Sequence, residues 1–361
     1  MHVQKDGYMT AIHRAAWPAL GAAILFGAST PFAKQLIGDG ADLSFPFLLA
    51  GLLYLGSGIG LTITRLLRDR GWKPVGIPAG EWPWLMGAIA FGGVLGPLLL
   101  MLGLSHTTAA TASLFLNLEA VLTAVLAWIV FRESTDHRIV LGMILIVAGG
   151  AVLAWPAGDA TASGLGPIAL TGACLAWAID NNLTRKVSAS DALFIAGSKG
   201  LMAGCVNTAL AFYLGAAVPA LPLISKTMLI GFLGYGLSLV LFVVALRGLG
   251  TARTGAYFST APFVGAAISI VVFVEPTNSS FWIAAALMAA GVWLHLTEHH
   301  VHEHAHAELL HSHKHLHDEH HQHSHDFEWD GSEPHAHVHQ HATLTHLHAH
   351  FPDIHHRHSH R

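Results

Sequence analysis

The chain has 361 residues, of which 53% are hydrophobic and only 11% are charged. This composition excludes an ordinary soluble domain and indicates an all-α integral membrane protein. The formal net charge of −4 says little, because it averages an apolar body with a polar tail. The two cysteines, Cys174 and Cys205, both lie in apolar stretches, so no disulfide is expected.

Apolar runs follow one another along the chain, each close to the roughly 20 residues that a helix needs to cross a bilayer. The first run is too long for a cleaved signal peptide and keeps Lys34 near its end, so it is expected to stay in the membrane. We predict ten transmembrane helices, over Trp17–Ile37, Leu43–Leu67, Trp82–Leu104, Thr107–Phe131, Ile139–Trp155, Leu165–Lys186, Leu193–Val218, Met228–Leu246, Ala252–Val274 and Phe281–Leu296.

Basic residues near the ends of these runs predict the orientation. With the N-terminus in the cytoplasm, twelve flanking Lys and Arg residues fall on cytoplasmic segments, whereas only Lys34 and Lys226 fall on the outer side. Cytoplasmic loops of membrane proteins carry an excess of positive charge. Residues 1–16 and the C-terminus are therefore predicted to be cytoplasmic, in a multi-pass protein of a bacterial inner membrane.

The chain contains an internal duplication. Residues 103–154 and 245–296 align without a gap at a constant offset of 142, and each copy is a pair of apolar helices joined by a short loop. The coinciding residues are Leu104/Leu246, Ala110/Ala252, Ala124/Ala266, Phe131/Phe273, Glu133/Glu275, Thr135/Thr277, Leu145/Leu287, Ala148/Ala290 and Gly149/Gly291. A repeat of this kind in an apolar chain is typical of secondary transporters, whose substrate sites lie between the two repeats.

The first helix of each half also aligns, at an offset of 151, which sets Ser29-Thr30-Pro31 against Asp180-Asn181-Asn182. Residues 17–156 and 164–297 then form two halves of five helices each. Because five is an odd number, the second half must cross the membrane in the opposite sense to the first. The sequence therefore predicts two inverted five-helix repeats.

Two segments resemble a known family. The run GLSHTTAATASLFLNLEAVLTAVLAWIVFRE, followed by a helix ending in AGGAVLAW, and the second copy, ALRGLGTARTGAYFSTAPFVGAAISIVVFVE, are similar to the EamA-type members of the drug/metabolite transporter superfamily. The resemblance implies a ten-helix carrier of two inverted repeats that usually exports small metabolites such as amino acids or their relatives. Ala120, where this family often has Pro, and the C-terminal tail depart from the family pattern.

Three charged residues fall inside predicted helices and away from the helix ends, namely Glu119, Asp180 and Lys199. Each charge costs roughly 3 kcal/mol at the bilayer centre, so such residues usually face a cavity or a partner. Asp180 begins the polar run with Asn181 and Asn182, whose counterparts in the first half include Ser29 and Thr30. Polar patches at corresponding points of two halves indicate a substrate site, and we name these seven residues as substrate-binding or coupling candidates.

The roles of the charged candidates stay open between two interpretations. Asp180 and Lys199 lie at similar depth and could form an ion pair that only stabilises the helix bundle. Glu119 has no basic residue at its own depth in the sequence pattern. Because burial disfavours a charged carboxylate, Glu119 is also a candidate for proton coupling. Glu133 and Glu275, at helix ends, suggest capping or topology, and Gly96-Pro97 predicts a local break in the third helix.

The composition changes abruptly near residue 298, since 24 of the 29 histidines lie in the last 63 residues. We predict a disordered tail over 298–361 that binds Ni, Co, Zn or Cu through neutral imidazoles. The absence of Cys from this segment excludes a Cys-rich structural zinc fold. The candidate metal ligands are His299, His300, His302, His304, His306, His311, His313, His315, His317, His320, His321, His323, His325, His335, His337, His339 and His341.

Three functions are consistent with these patterns. The first is a secondary active exporter of small polar, amino-acid-like metabolites with a metal-binding cytoplasmic tail. The second is a transporter of divalent metal or of a metal chelate, and the third is a membrane-anchored metal buffer or sensor. The chain carries no enzyme motif and no P-loop, so neither catalysis nor ATP hydrolysis is expected. The expected partners are the lipid bilayer, a small-molecule substrate and divalent metal ions, without nucleic acid or a required cofactor; a homodimer stays open.

Overall fold

The computed structural model describes residues 2–37, 44–75, 77–131, 137–155, 164–187, 191–249, 251–297, 301–306, 309–315, 335–341 and 344–349. Up to residue 297 the regular structure of these ranges is helical. The α-helices α1 to α14 are His2–Ile37, Ser44–Asp69, Trp82–Ala88, Gly96–His106, Ala109–Phe115, Asn117–Phe131, His137–Ala154, Leu165–Thr184, Ala192–Tyr213, Leu221–Gly231, Ser238–Leu249, Thr251–Phe258, Ala261–Val271 and Ser279–Leu296. Short 3₁₀ turns cover Ala79–Glu81 and Arg185–Val187.

Eight helices of the described chain are long and apolar enough to cross a membrane, which confirms a multi-pass membrane protein. They cover Ala16–Ile37, Ser44–Asp69, Ala79–His106, Ala109–Val130, His137–Ala154, Ala192–Tyr213, Leu221–Ala245 and Ser279–Leu296. The other two predicted spans are helical but do not meet that criterion. Helix α8 carries Asp180, Asn181 and Asn182 near its end, and the run predicted over Ala252–Val274 divides into α12 and the 11-residue α13.

Several helix bounds differ from those that hydropathy predicts. Helix α1 begins at His2 rather than at Trp17, and α9 ends at Tyr213 rather than at Val218. The run predicted as one helix over Thr107–Phe131 is broken at Leu116 into α5 and α6. Hydropathy reports where a helix can enter the apolar layer, whereas hydrogen bonding decides where the helix begins, ends or breaks.

Two membrane helices contain a π-helical segment. Ile89–Leu95 joins α3 to α4, and Phe232–Leu237 joins α10 to α11. The first segment confirms the break predicted from Gly96-Pro97. Pro97 has no N–H, so the Gly93 carbonyl loses its α-helical donor and the Gly92 carbonyl loses its π-helical one. The helix therefore changes its hydrogen-bonding pattern here and exposes two carbonyl groups to the bundle interior.

Small residues let the helices approach closely. Helix α2 lies along α9, α7 along α14, α4 along α8 and α1 along α11. At Gly58 and Gly231 an added Cβ would overlap the backbone of the neighbouring helix. In a bilayer helices gain little from burying apolar surface, so close backbone packing at small residues supplies much of the association energy.

The C-terminal segment contains four short strands, β1 (Val301–His306), β2 (Leu309–His315), β3 (His335–His341) and β4 (Leu344–Ala349). Strand β1 pairs with β4 and β2 with β3, both antiparallel. The prediction of disorder is wrong for these four segments, in which histidine alternates with other residues at the two-residue period of a strand. The other tail residues, and with them His299, His300, His317, His320, His321, His323 and His325, lie outside the described residues.

Candidate substrate site

An ion pair between α8 and α9 lies within the helix bundle. The Lys199 Nζ is 2.6 Å from Oδ1 and 2.7 Å from Oδ2 of Asp180, and the Thr184 hydroxyl donates to Asp180 Oδ1 at 2.8 Å. The side chains of Asp180 and Lys199 are 9% and 16% exposed. The pair expected from their similar depth is therefore present. Asp180 is neutralised in this conformation, which removes most of the cost of keeping a carboxylate inside the membrane.

Gly92 makes room for this pair, because a Cβ at that position would overlap the Asp180 carboxylate. The Gly92 carbonyl accepts hydrogen bonds from Tyr54 Oη at 2.9 Å and from Trp177 Nε1 at 3.0 Å. The neighbouring Gly93 carbonyl accepts one from Asn207 Nδ2 at 3.2 Å. Side chains from three other helices thus replace the donors that Pro97 removes.

Glu119 lies in the first turn of α6, where helix dipoles favour a carboxylate. Its Oε1 accepts a hydrogen bond from Asn181 Nδ2 at 2.9 Å, and the same amide is 3.3 Å from Thr123 Oγ1. Asn182 Nδ2 donates to the carbonyls of Thr123 and Ala178. Within the described ranges no ion pair includes Glu119. Its carboxylate is thus held by an amide alone.

The run Asp180-Asn181-Asn182 consequently connects two sites. Asp180 faces α9 and the first π-helical segment, while both asparagines reach α6. Five of the predicted residues, Glu119, Asp180, Asn181, Asn182 and Lys199, therefore lie in one stretch of polar side chains across α6, α8 and α9. Asp180 and Asn181 contact different helices because adjacent residues on a helix point about 100° apart. The sequence could not indicate which helices these are.

The remaining two predicted residues lie beside the second π-helical segment. Ser29 and Thr30 are both 2% exposed, and the Ser29 hydroxyl donates to the Phe26 carbonyl at 2.6 Å. The Ser29 side chain occupies the space that a Cβ at Gly234 would need. The Tyr235 ring lies between Phe26, which it meets edge to face, and the tilted ring of Tyr54, with ring centroids 5.9 and 5.5 Å away. This aromatic bridge connects Ser29 to the Gly92 carbonyl. It was not predictable from the sequence, in which these residues are only some of many aromatic residues.

A second polar feature lies on the far side, meaning the membrane side opposite the N-terminus. The two oxygens of Glu275 accept hydrogen bonds from the backbone N–H groups of Ala109 and Ala110, at 2.9 and 2.8 Å. The predicted capping role of Glu275 is confirmed, but the helix that it caps, α5, belongs to the other half of the chain. Glu133 lies outside the described residues.

A cavity of about 540 Å³ adjoins this cap, lined by Lys34, Gln35, Ser105, His106, Thr107, Thr108 and Glu275. Among the residues whose side chains the structure describes, no group of three or more His, Cys, Asp or Glu residues could hold a metal ion. The candidate metal ligands all belong to the tail, where only the strand backbones are described.

Apolar membrane-crossing helices packed around a polar seam, formed here by Glu119, Asp180, Asn181, Asn182 and Lys199, are the architecture of a membrane transporter. Comparison with known sequences gives the family. The chain belongs to the EamA-like transporter family, within the drug/metabolite transporter superfamily, because the family's sequence model matches residues 13–155 and again residues 164–297.

Three similar proteins extend this result. A transporter of Methanothermobacter thermautotrophicus, described as uncharacterized, is 27% identical over 291 residues, covering 76% of this chain and 83% of the relative. A probable 4-amino-4-deoxy-L-arabinose-phosphoundecaprenol flippase subunit ArnE of Pseudomonas aeruginosa is 37% identical over 117 residues, 31% of this chain and 96% of the relative. A crystal structure with 19% identity superposes with a TM-score of 0.56 over 78% of this chain and 96% of its own, which supports the fold.

Proposed function

We propose that this protein is a secondary active transporter that exports small polar metabolites carrying an amino group. The observation that carries the proposal is Glu119, a carboxylate inside a membrane helix that Asn181 holds at 2.9 Å and that no basic side chain of the described ranges neutralises. Such a group binds an ammonium ion or a proton, because a carboxylate that stays charged without a positive partner is costly inside the membrane. Alternate binding of substrate and proton at one carboxylate would couple export to a pH gradient.

The proposed architecture is a pair of inverted five-helix repeats. The family model matches each half once, and the π-helical segments begin 143 and end 142 residues apart, at the offset of the sequence duplication. Gly92 accommodates Asp180, while its counterpart Gly234 accommodates Ser29, which is the counterpart of Asp180. These matched pairs support a symmetric seam with the substrate at its middle, as expected for inverted-repeat carriers.

One of the similar proteins supports an amine as substrate. The ArnE relative is described as a subunit of a flippase for a lipid-linked amino sugar, and an amino sugar and an amino acid share an ammonium group that a carboxylate recognises. Asn181 would hold Glu119 in position for this contact. We place both termini in the cytoplasm of a bacterial inner membrane, because the loop charges favour that orientation.

The test is pH-gradient-driven transport in proteoliposomes with a panel of amino acids and small amines. Glu119→Gln keeps the shape and the hydrogen bond partner but loses a charge-assisted contact, so we expect transport of the preferred amine to fall at least roughly tenfold. Glu81→Gln, a carboxylate outside the seam, is the matched control and should transport normally. Full gradient-driven transport by Glu119→Gln would exclude this carboxylate as the coupling group.

A second proposal concerns the tail, which we propose binds divalent Ni, Co, Zn or Cu through paired histidines. Backbone register sets His302 opposite His348 and His304 opposite His346. In the other strand pair, three cross-strand pairs follow one another: His311/His339, His313/His337 and His315/His335. Opposed positions on an antiparallel pair have Cβ atoms about 4.5–5.5 Å apart, and alternate residues share a face. This spacing suits two imidazoles on one metal ion.

Composition-preserving exchanges test the tail. Exchanging His313 with Lys314 moves one histidine to the opposite face of β2 and should remove one step of Ni²⁺ binding in calorimetric titration of the full chain. Exchanging His337 with Ala336 as well restores a cross-strand pair on that face and should restore the step. Identical titrations for all three chains would mean that Ni²⁺ binding depends on the number of histidines and not on their cross-strand pairing.

Deletion of residues 299–361 separates the remaining functions. Unchanged amine transport with unchanged tolerance to Ni, Co and Zn would favour a tail that acts independently of the carrier. Loss of metal tolerance in a correctly folded protein would favour transport of divalent metal or a metal chelate. Metal tolerance supplied by the tail alone would favour a membrane-anchored buffer.

A further inference from the structure

We propose that Glu275 is the latch that keeps the far side of the transport pathway closed, and that it acts by capping a helix of the opposite half. This inference rests on the proposed transport function and adds the residue that controls access to the site. The observation that carries it is the double hydrogen bond from the Ala109 and Ala110 N–H groups to the Glu275 carboxylate. The donors belong to the first half of the chain and the acceptor to the second.

The latch lies at one end of two helix pairs, α5 with α6 in the first half and α12 with α13 in the second half, which we call the two rods. On the far side α5 packs against α13, and this is the main mutual contact of the two rods in the part of the chain that the structure describes. Their other portions pack against different helices, α6 on α8 and α12 on α1. The conformation is therefore closed between these rods on the far side. Opening that side requires α5 and α13 to separate, which cannot occur while Glu275 spans them.

Backbone strain is stored next to the latch. Val274 has a φ of +53°, a left-handed conformation that a β-branched residue rarely adopts. The Glu275 N–H bonds the Ser269 carbonyl at 3.1 Å, which holds this turn at the end of α13. The strain persists only while the hydrogen bonds around it determine the conformation, and release of the latch would relieve it. A strained turn directly next to the capping carboxylate suits an element that must switch.

The contact between α5 and α13 below the latch contains a position at which a cysteine can report whether the two helices separate. Ser113 on α5 is 1% exposed, and its hydroxyl has no hydrogen bond partner. Gly265 on α13 lies directly against it, since a Cβ there would lie 2.6 Å from the Ser113 Oγ. A cysteine at position 113 would therefore be shielded while α5 and α13 are in contact and would become reactive when they separate.

The experiment measures labelling of Ser113→Cys by a membrane-impermeant maleimide, in the full chain with Cys174→Ala and Cys205→Ala. Intact cells and inverted vesicles expose each side in turn. The glutamine of Glu275→Gln has one acceptor oxygen in place of two and carries no charge, so it holds α5 less tightly. Labelling from the far side should therefore accelerate by roughly tenfold. Glu81→Gln removes a carboxylate that lies away from the contact between α5 and α13, and it should leave the labelling rate unchanged.

Val274→Asn gives a change of opposite sign. Asparagine adopts the left-handed conformation more readily than valine, so the latched state is stabilised and labelling should slow. Unchanged labelling in Glu275→Gln overturns the proposal, and so does acceleration in both variants, which would indicate loosened packing. If Glu275→Gln does not fold, slower labelling in Val274→Asn supports the latch, and unchanged or faster labelling overturns it. The assay needs no substrate, so its result is independent of the transport test on Glu119.

Discussion

Gly92 shows how one missing side chain organises the candidate site. The position must admit the Asp180 carboxylate, and its carbonyl serves as the acceptor for Tyr54 and Trp177. A glycine is required there for space rather than for an unusual backbone angle. The charged residues of the site were predictable because charges are rare in membrane helices. Gly92 was not, since glycine is common in such helices and nothing local distinguishes this one.

Replacement of this glycine tests that account. Gly92→Ala would place a methyl group on the Asp180 carboxylate and separate it from Lys199, which should destabilise the protein by about 3 kcal/mol and reduce transport. At Gly150, a Cβ would meet only the end of the flexible Leu118 side chain, at 3.4 Å, so Gly150→Ala should be neutral. Thermal unfolding in detergent measures both variants. Equal midpoints would show that the carboxylate can move aside without loss.

At the scale of whole helices, the sequence predicted one of the helix interruptions, and even there it did not predict the π-helical form. Gly96-Pro97 indicated a break in the third predicted helix, and the structure has a π-helical segment there. The equivalent segment at Phe232–Leu237 contains no proline and was not predicted. The only available signal was that this position corresponds to the first π-helical segment at the offset of the duplication. The division of α5 from α6 at Leu116 was not predicted either, because hydropathy does not report where the hydrogen bonding of a helix breaks.

A charged network on the N-terminal side joins α2 to α9. Asp191 caps α9 through the Leu193 N–H and accepts hydrogen bonds from Arg65 Nε at 3.1 Å and from the Arg68 guanidinium. Partial burial raises the pKa of Asp191, but the hydrogen bonds from Arg68 and Arg65 outweigh burial and hold its pKa below the usual range. A carboxyl with a lowered pKa stabilises the folded state above its ordinary pKa of about 3.9, and that contribution is lost as the pH falls through the folded-state value.

Asp191→Asn separates the charge from the cap. Asparagine caps helices as well as aspartate does, so only the interaction with the two arginines is lost. We expect a destabilisation of about 1 kcal/mol at pH 7, kept small because the network is partly exposed. The difference between the two proteins should be constant from pH 6 to 8 and shrink below about pH 4. Thermal unfolding at several pH values measures it, and a difference that persists in acid would assign the effect to the cap.

At the scale of the whole molecule, the duplication at offset 142 was the most productive feature of the sequence. It predicted the relation between the two halves, and it also relates the π-helical segments and the glycines that face Ser29 and Asp180. It did not reveal which rods are in contact on which side, because a symmetric sequence is compatible with two conformations of opposite opening. In the described structure Glu275 caps α5.

The same offset predicts the latch of the opposite conformation. Glu133 corresponds to Glu275, and Thr251 and Ala252 correspond to Ala109 and Ala110. When the far side opens, we expect Glu133 to cap α12 on the N-terminal side. Glu133→Gln should then destabilise the far-open conformation and slow far-side labelling of Ser113→Cys by roughly fivefold, the reverse of the effect of Glu275→Gln. The double variant should label at nearly the rate of the parent, since the two losses offset each other. Faster labelling in Glu133→Gln would show that the two glutamates do not act as reciprocal latches, whatever the effect of Glu275 alone.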